Sequence, residues 1–467
     1  MKIVVLWTDA VMFVVLAAVI GYAFKVARTP HLAATWRKAF TRPSGAAAAT
    51  LLGFFLVIGL LDSLHYRPAL PGTSASSAVQ YSPVTYSMLD TMLARQVNGH
   101  ESSYSAPLAY RAYSKEAMLV DGKTLRVYPR LQFGGESLAD PATQWAGDVA
   151  RRTLGGLAAG LAVSLLLWAA ATRCVARARG VSWKQGACAV VRGATSYPWR
   201  AVLVTASSIL VLGGIVAALA HEYHVFGTDR VGTDLLYVVL KSIRTALVIG
   251  TMSTIVTMPI AVGLGITAGY LRGWVDEVIQ YVYTVINSIP YVLLIAASVL
   301  ILMVFIDKHP DRFPTAAERT DARLFFLCVI LGLTSWTDLC RLIRAEVIKL
   351  REAEYIQAAR AFGVGTWRIL SVHLVPNVMH LILISIAINF SGLVLAEAVL
   401  SYVGVGVDPA MQSFGTLINT SRLELSRQPA IWWTLSTAFV FMFALVLSAN
   451  MLADAIRDAF DPKAIHR

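Results

Sequence analysis

Long apolar segments recur along this 467-residue chain, with shorter polar stretches between them. A helix needs roughly 20 apolar residues to cross the hydrocarbon core of a bilayer. The segments without Asp, Glu, Lys or Arg are 154–172, 201–220, 245–270, 278–306 and 429–453. Weaker segments of the same kind are 3–24, 46–61, 324–337 and 377–396. Because lipid cannot satisfy open backbone groups, the pattern predicts an all-α integral membrane protein with about nine transmembrane helices.

Composition supports a membrane protein. Apolar residues make up 57% of the chain and charged residues 15%, whereas soluble proteins carry about 25% charged residues. The net charge of +12 comes from side chains beside the apolar segments, where they interact with anionic headgroups. No basic helix with interleaved aromatic residues is present, so we predict no nucleic-acid partner. The four cysteines match no zinc spacing.

Loop charge predicts the orientation. Residues 25–45 and 173–200 contain basic but no acidic side chains, and such short loops stay in the cytoplasm. With nine spans, the N-terminus and residues 65–152 are predicted outside, and the loop at Glu354 and the C-terminus inside. Residues 307–323 conflict with this assignment, because they are predicted outside yet contain four basic side chains beside four acidic ones.

The chain divides into four predicted segments. Residues 1–64 hold helices 1 and 2, residues 153–220 hold helices 3 and 4, and residues 221–467 form the core. Residues 65–152 differ, because they are rich in Pro, Ser and Tyr and contain no spanning run. We predict a small outward-facing mixed segment of short strands and turns, with a strand at 125–133. It either contacts a partner on the outer face or is a passive addition.

The stretch Glu354–Pro376 is the most informative part of the chain. It is rich in alanine and lies between two apolar segments. A helix with a small face, followed by a glycine that ends it, offers a docking surface in an aqueous loop. We therefore expect Ala359 to face a partner protein. The residues that carry this pattern are Glu354, Gln357, Ala358, Ala359, Gly363 and Pro376.

This spacing resembles the EAA loop of ABC-importer permeases. Gln357 stands where the family prefers Glu, and His373 where it prefers Ile. Further motifs, in the family's order, resemble the C-type permease subunit of oligopeptide and dipeptide importers and cover just over half the chain. They are the segment 226–234 with Asp229 and Asp234, the turn 269–276, the kinked pore helix ending at Pro290, the stretch 397–406 with Glu397 and Ser401, and the C-terminal 454–462.

The resemblance implies a permease of the bacterial inner membrane that imports peptides or peptide-like solutes. It implies as partners a second permease subunit, two cytoplasmic ATPase subunits and an extracytoplasmic solute-binding protein. The loop 341–376 would couple the chain to the ATPase subunits. ATP and Mg²⁺ would bind in those subunits, and this chain would bind no cofactor of its own. The motifs do not identify the solute.

The chain itself shows no ATPase site. The nearest match to a phosphate loop is 117–124, which has Ala117 in place of the first glycine. We therefore predict a permease subunit that is not an enzyme and has no catalytic or metal-binding residues.

Two other classes were weighed. A secondary transporter would carry ionisable residues inside its spans, and only Asp9, Asp338, His380 and Glu397 come near. We expect Asp338 and Glu397 to lie at the membrane interface. A membrane-anchored scaffold or sensor would leave the ordered motifs unexplained.

Two residue types give local expectations for the core. The glycines at 263, 265 and 269 are expected to let helices approach closely. Pro259 and Pro290 are expected to interrupt their helices.

Overall fold

The computed structural model describes residues 2–69, 80–120, 123–313 and 315–460. Over these residues, nine helical stretches are long and apolar enough to cross a membrane, which confirms the predicted all-α membrane fold. They are α1 (Trp7–Arg28), α3 (Pro43–Ser63), α6 (Pro141–Arg179), α8 (Trp199–Ala220), α9 (Leu235–Leu271), α11 (Tyr291–Lys308), the successive helices α12 (Ala316–Thr334) and α13 (Thr337–Arg351), α16 (Val375–Val403) with its lead-in from Thr366, and α18 (Trp433–Phe460).

The remaining helices are shorter and connect or flank these spans. They are α2 (Pro30–Thr41), α4 (Met88–Met92), α5 (Ala94–Asn98), α7 (Trp183–Val191), α10 (Trp274–Ser288), α14 (Glu354–Ala361), α15 (Thr366–Arg368) and α17 (Phe414–Leu425).

Two small antiparallel sheets accompany the helices. One has the order β1 (Lys2–Val4), β2 (His65–Arg67), β3 (Tyr86–Ser87), and the other is a hairpin of β4 (Glu116–Val120) and β5 (Lys123–Val127). Lys2 pairs with Arg67 and Val4 with His65. The N-terminal strand therefore lies beside the strand that follows α3, as expected if the chain crosses a membrane twice between them.

Two predictions that involve proline residues are wrong. The predicted span 278–306 is two helices, α10 and α11, separated at Ile289 with Pro290 as the N-cap of α11. Proline lacks an N–H donor and disfavours helix in the residue before it. Pro259, which was expected to interrupt its helix, instead lies inside the continuous α9.

The segment between α3 and α6 is shorter than predicted. Asp140 caps α6 by accepting a hydrogen bond from the N–H of Ala142 at 3.2 Å, and Pro141 at the first helical position has the φ that a helix needs. The helix thus begins before the predicted boundary at residue 153. Of the strand predicted at 125–133, only residues 125–127 form a strand, as the end of β5. Pairing with β4 stops at Val127. We call residues 65–140 the insert.

The described chain forms two compact units that interleave in sequence. Unit 1 comprises Met1–Val4, Arg37–Thr245 and Gln412–Met451, and unit 2 comprises Val5–Trp36, Ala246–Met411 and Leu452–Arg467. Neither unit coincides with one of the four predicted segments.

Close helix contacts inside each unit use glycine. In unit 1, a Cβ on Gly156 of α6 would lie 2.5 Å from the carbonyl oxygen of Gly214 in α8. In unit 2, a Cβ on Gly265 of α9 would lie 2.8 Å from the carbonyl oxygen of Cys340, and one on Gly269 would lie 2.8 Å from Cβ of Val347. Such contacts favour helix association in lipid. The expected close packing is therefore observed at Gly265 and Gly269, whereas a Cβ on the third glycine, at position 263, would meet open space.

Candidate functional site

The segment between α13 and α16 contains the predicted docking helix. It belongs entirely to unit 2. α14 covers Glu354–Ala361, and α15 runs into a π-helical turn at Ile369–Leu374 that leads to α16. We call Glu354–Pro376 the coupling segment.

Gly363 ends the docking helix. Its φ is +76°, a conformation that glycine adopts without the strain felt by other residues. Its N–H donates to the carbonyl of Arg360 at 3.0 Å, and the N–H of Val364 donates to the carbonyl of Ala359 at 3.0 Å. These two bonds are those of a Schellman C-cap. The predicted glycine stop is confirmed, and backbone conformation explains the need for glycine, because a Cβ there would meet no neighbour within 4 Å.

Three aliphatic side chains anchor the coupling segment to the rest of unit 2. Ile356, Ile369 and Leu374 are fully buried in a cluster that includes residues of α9, α10, α13 and α16. Burying a side chain of this size contributes about 1.5–3 kcal/mol relative to leaving it exposed. The segment is therefore held firmly enough to transmit a displacement to these helices.

The opposite side of the coupling segment presents two large aromatic residues. Phe362 is 87% exposed and Trp367 is 80% exposed. Glu354, Gln357 and Ala358 are exposed as well. Aromatic side chains at protein surfaces are preferred anchors in interfaces. This face is the strongest candidate for contact with another protein.

Ala359 does not belong to that face. It is half-buried and packs against the chain's own apolar cluster. The expectation that Ala359 faces a partner is wrong, because buried Ile356 lies three residues earlier on the same side of the helix. A large residue at 359 would disturb the chain's own packing.

Of the two departures from the family's pattern, the structure explains the one at Gln357. The amide nitrogen of Gln357 donates to the carbonyl of Glu352 at 3.1 Å, a bond that a glutamate carboxylate cannot make. At the other departure, the carbonyl of His373 accepts a 2.6 Å bond from the side-chain amide of Asn377, which also donates to the hydroxyl of Tyr355 at 3.1 Å. The side chain of Gln357 therefore has a local partner, whereas the bond at position 373 uses only the backbone carbonyl.

Pro376 is the second residue of α16. It has no N–H and cannot donate to a carbonyl in the preceding turn. The chain immediately before α16 adopts the wider π-helical turn, a form that occurs mostly as a single turn adjoining α-helix. The proline therefore marks the junction between the coupling segment and α16.

An ion pair connects α10 and α13, two of the helices against which the coupling segment packs. Asp276 of α10 accepts bonds from Nε and Nη2 of Arg344 at 2.6 and 2.7 Å. The hydrogen bonds from Arg344 lower the pKa of Asp276 despite its partial burial. This pair could not be predicted from a local pattern, because the two residues are 68 positions apart.

Asp229 and Asp234 organise the loop between α8 and α9. Asp229 accepts bonds from the N–H groups of Val231 and Thr233 at 3.0 and 2.8 Å. Asp234 accepts from the N–H of Leu236 at 2.8 Å and so caps α9. Both side chains are therefore engaged in local structure.

The insert packs on this same loop, inside unit 1. The N–H of Glu101 donates to the carbonyl of Gly232 at 3.1 Å, and the N–H of Leu108 donates to the carbonyl of His224 at 2.9 Å. Gly232 has φ +79°, and a Cβ there would lie 1.9 Å from the carbonyl oxygen of Glu101. The loop and the insert thus require a glycine at 232.

Buried charges connect the insert to the loop between α8 and α9. Nδ1 of His224 lies 2.8 Å from Asp234 and Nε2 lies 3.4 Å from Glu101. Burial alone would lower the pKa of His224, but the two carboxylates outweigh it and raise that pKa to about 9. Burial likewise opposes ionisation of Glu101, yet bonds from His224 and from the N–H groups of Gln132 and Phe133 keep its pKa below the ordinary value.

The insert also contacts the chain before α18. The hydroxyl of Tyr104 donates to Glu424 at 3.0 Å, and burial together with that carboxylate raises the pKa of Tyr104 to about 12. The hydroxyl of Tyr113 donates to the carbonyl of Ala430 at 3.1 Å, and its ring meets Trp433 edge-on with centroids 4.7 Å apart. Within unit 1 the insert is therefore part of the packed structure.

Glu397 and Ser401 lie one turn apart in α16. The hydroxyl of Ser401 donates to Glu397 at 2.6 Å, and Glu397 is 2% exposed. α16 continues beyond Glu397 to Val403, and the expected position of Glu397 at the membrane interface stays a prediction. Asp338, in contrast, is exposed. The roles of Pro290, Glu397 and Ser401 in a transport path stay predictions.

Residues 261–466 match the family described as binding-protein-dependent transport system inner membrane component. The oligopeptide transport system permease protein OppC of Mycobacterium tuberculosis (strain ATCC 25618 / H37Rv) is 33% identical over 239 residues, which are 51% of this chain and 76% of OppC. This chain belongs to the family of ABC-importer permeases.

Other permeases are similar over the same extent. The dipeptide transport system permease protein DppC of Lactococcus lactis subsp. cremoris is 30% identical over 52% of this chain and 65% of DppC. The glutathione transport system permease protein GsiD of Pectobacterium atrosepticum is 30% identical over 51% of this chain and 73% of GsiD. A chain of the inward-facing MetNI methionine ABC transporter has 16% identity, covers 49% of this chain and 98% of that chain, and gives a TM-score of 0.35; no conclusion rests on it.

The permease is thus a multi-pass membrane protein of an importer. The family match covers the coupling segment and the stretch with Glu397, whereas the insert and the loop 221–234 lie before it.

The permease has a charged cluster on α3, α4 and α9 that was not predicted from the sequence. Lys241 of α9 lies 3.5 Å from Asp62 of α3 and 2.8 Å from Asp90 of α4. Nε of Arg244 donates to the hydroxyl of Ser63 at 3.1 Å. The expectation that the core spans lack buried ionisable residues is wrong, because α9 starts ten residues before the predicted span and includes this charged turn. Lys241 is matched by carboxylates, which indicates a structural role.

Some of the charges at 307–323 are paired within unit 2. α12 already begins at Ala316, so the loop is shorter than predicted. Arg323 pairs with Asp307 at 3.1 Å and closely with Asp408. The backbone N–H of Thr8 donates to buried Asp321 at 3.1 Å, and its hydroxyl does so as well.

Proposed function

We propose that this permease imports peptides or peptide-like solutes together with a second permease subunit, and that two separate cytoplasmic ATPase subunits drive it. The names of the similar permeases support the solute class, since they concern oligopeptides, dipeptides and glutathione. An extracytoplasmic binding protein delivers the solute. The chain spans the inner membrane with its C-terminus inside and its N-terminus outside.

The observation that carries the coupling role is the two-sided coupling segment. One side is fixed through Ile356, Ile369 and Leu374 to helices of unit 2, and the other side presents Phe362 and Trp367 to a partner. Closure of the ATPase subunits would push on the aromatic side. The buried side would pass that displacement to α9, α10, α13 and α16, and so alternate the access of the solute path.

ATP hydrolysis is assigned to the partner subunits, with ATP and Mg²⁺ bound there. A phosphate loop connects a strand to the N-terminus of a helix. In the nearest match in sequence, 117–124, residues 117–120 and 123–124 instead belong to the paired strands β4 and β5, and residues 121–122 lie outside the described residues. This geometry supports a permease subunit without an ATPase site of its own.

The coupling role is tested by Phe362→Ala and Trp367→Ala, singly and together. Truncating an aromatic anchor of an interface costs at least about 1–2 kcal/mol, so the double variant should lose tenfold or more in affinity for the ATPase subunits. Uptake should fall in parallel. Association is measured by co-purification and uptake with labelled peptides in cells that lack the native permease.

Trp183→Ala is the matched control, because Trp183 is a half-exposed tryptophan in α7, on a loop predicted to face the same side. It should leave both readouts unchanged. Full uptake and normal subunit association in the double variant would remove the assignment.

The insert is proposed to face outward and to contact the docked binding protein. Its base is occupied by its own chain through Glu101, Tyr104 and Tyr113. The β4–β5 hairpin, in contrast, exposes Met118 and Leu125 at 43% and 48%. This apolar pair is one exposed part of the insert that could contact a partner.

A further inference from the structure

Unit 1 contains a cavity of about 650 Å³ between its helices. The walls come from α3, α8, α9 and α18, and the two short insert helices α4 and α5 close one end. The size falls within the range of about 300–1,000 Å³ that small-molecule sites occupy. All of its lining residues belong to unit 1.

The cavity is long and narrow. On α8 its lining runs from Ile209 through Leu212 and Val216 to His221. Twelve residues of helix at 1.5 Å per residue give a length of about 18 Å. Opposite lies a shorter row on α3, with Phe54 and Ile58 among its members. This shape suits an extended hydrocarbon chain better than a compact solute.

The walls are almost entirely apolar. Among the lining residues only Arg95, Gln96 and His221 carry polar side chains, and all three are at the insert end. The amide of Gln96 already donates to the carbonyl of Ala220 at 2.9 Å. A stable water needs two to four polar partners, which the long part of the cavity does not offer. Helices α3, α8, α9 and α18 are all membrane spans, so the surrounding medium at this depth is lipid.

Charges at the insert end suit a zwitterionic headgroup. The guanidinium of Arg95 lies 3.7 Å from Glu136 and 3.8 Å from Glu222. Its contacts with Nδ1 of His221 and with the carbonyl of Phe133 are 3.5 and 3.4 Å long. All exceed the usual 2.7–3.2 Å of a strong hydrogen bond. Arg95 can therefore still bind a phosphate through two parallel bonds. Glu222 is buried and also pairs with Arg152 at 3.4 Å, whereas the side chain of Glu136 is 65% exposed and suits an ammonium group.

We propose that this cavity binds one acyl chain of a membrane phosphatidylethanolamine, with the phosphate at Arg95 and the ammonium at Glu136. The lipid would fill the space between the α3 side and α8 and would link the insert to the membrane. This goes beyond the import function and does not depend on the identity of the solute.

The test uses a cavity-filling variant of the assembled importer. Gly213 lines the cavity, and a Cβ there meets nothing within 4 Å. Gly213→Leu should therefore fill the space without a clash, and leucine favours helix over glycine by about 1 kcal/mol. The complex is purified in maltoside, stripped of lipid and incubated with palmitoyl-oleoyl phosphatidylethanolamine. Native mass spectrometry then counts retained lipid.

The unchanged complex should retain one phosphatidylethanolamine that Gly213→Leu loses at least tenfold. Gly155→Leu is the matched control, because Gly155 lies in α6, faces open space and does not line the cavity; it should retain the lipid. Glu136→Gln should reduce the preference for phosphatidylethanolamine over phosphatidylglycerol. Equal retention by the two leucine variants would overturn the proposal. So would cross-linking of a cysteine at 213 to the second permease subunit, because a protein would then occupy the cavity.

Discussion

His224 shows how one residue joins the insert to the core at the scale of single side chains. It contacts Asp234 at the start of α9 and Glu101 in the insert. Asp234 also caps α9, so the same carboxylate fixes the helix and the histidine. The 226–234 motif is therefore a structural joint, and its aspartates need not touch the solute to be required.

The pH dependence of that joint follows from His224. A group whose pKa is raised in the folded state stabilises it fully below the ordinary value, here 6.5, and loses the contribution as pH rises through the folded value of about 9. The shift corresponds to about 3 kcal/mol. Tyr104 and Tyr223, with pKa values of about 12, stay protonated over this range.

We therefore expect the melting temperature of the purified permease to fall between pH 6.5 and 9, as followed by tryptophan fluorescence. His224→Gln should lower the melting temperature at pH 6.5 and flatten the slope. His221→Gln is the control, since His221 is largely exposed three residues away, and it should keep the original slope. Parallel profiles for all three proteins would contradict the assignment. Glu101 matters at acid pH. Its pKa lies below the ordinary 4.5, so its contribution to stability is lost only as the pH falls below 4.5.

Residue roles were predicted where they depend on the local backbone and missed where they depend on distant partners. The φ of Gly363 follows from its place after an alanine-rich helix. The direction of Ala359 and the burial of Glu397 do not, because they depend on which neighbour covers each helix. Neighbours remote in sequence leave no local pattern.

At the scale of elements, apolar length predicted where spans lie but not where helices end. α6 extends on both sides of the predicted 154–172, and α9 begins ten residues before its predicted span. Because charged residues occur at those ends, loops were predicted there. At the N-terminal ends of α6 and α9 these charges are paired, Asp148 with Arg152 and Lys241 with Asp90, and the helices continue through them.

The insert was predicted as a separate aqueous segment. Its contacts with the rest of unit 1 were not predicted, because they involve partners that are distant in sequence. A deletion of 71–139 would remove Glu101 and Tyr104, which stabilise the loop at 224–234 and the chain at Glu424. Such a variant would confuse loss of folding with loss of a partner. The exposed hairpin offers a cleaner test.

Met118→Ser with Leu125→Ser removes a cross-strand apolar pair from the β4–β5 hairpin. If the hairpin contacts the binding protein, the loss of two interface anchors at about 1 kcal/mol each should weaken that complex about tenfold or more. The dissociation constant is measured with the importer in nanodiscs. Val84→Ser is the control, because Val84 is a 54% exposed apolar residue elsewhere in the insert. An unchanged constant and unchanged uptake would leave the insert as a passive addition.

At the scale of the whole molecule, orientation depends on an odd number of spans before the basic loop 173–200. The sheet formed by β1 and β2 puts the N-terminus beside the insert, in keeping with two crossings between them. α6 then adds the third. A labelling position in the insert must be exposed, and Ser103 is partly buried with its hydroxyl enclosed. Ser102 is exposed and is used instead.

Single cysteines at Ser102 and Lys184 should therefore be labelled from opposite sides by a thiol reagent that cannot cross membranes. The native Cys174 and Cys188 are exposed and would react on the same side as position 184, so both are first changed to serine; buried Cys328 and Cys340 stay. In intact cells stripped of the outer membrane, position 102 should react and position 184 should not, until the membrane is made permeable. The basic, acid-free loop around 184 is the physical reason, because such loops are retained in the cytoplasm. If position 184 reacts in sealed cells and position 102 does not, the N-terminus is inside. The coupling segment would then face away from ATP, and the proposed drive by cytoplasmic ATPase subunits would fail with it.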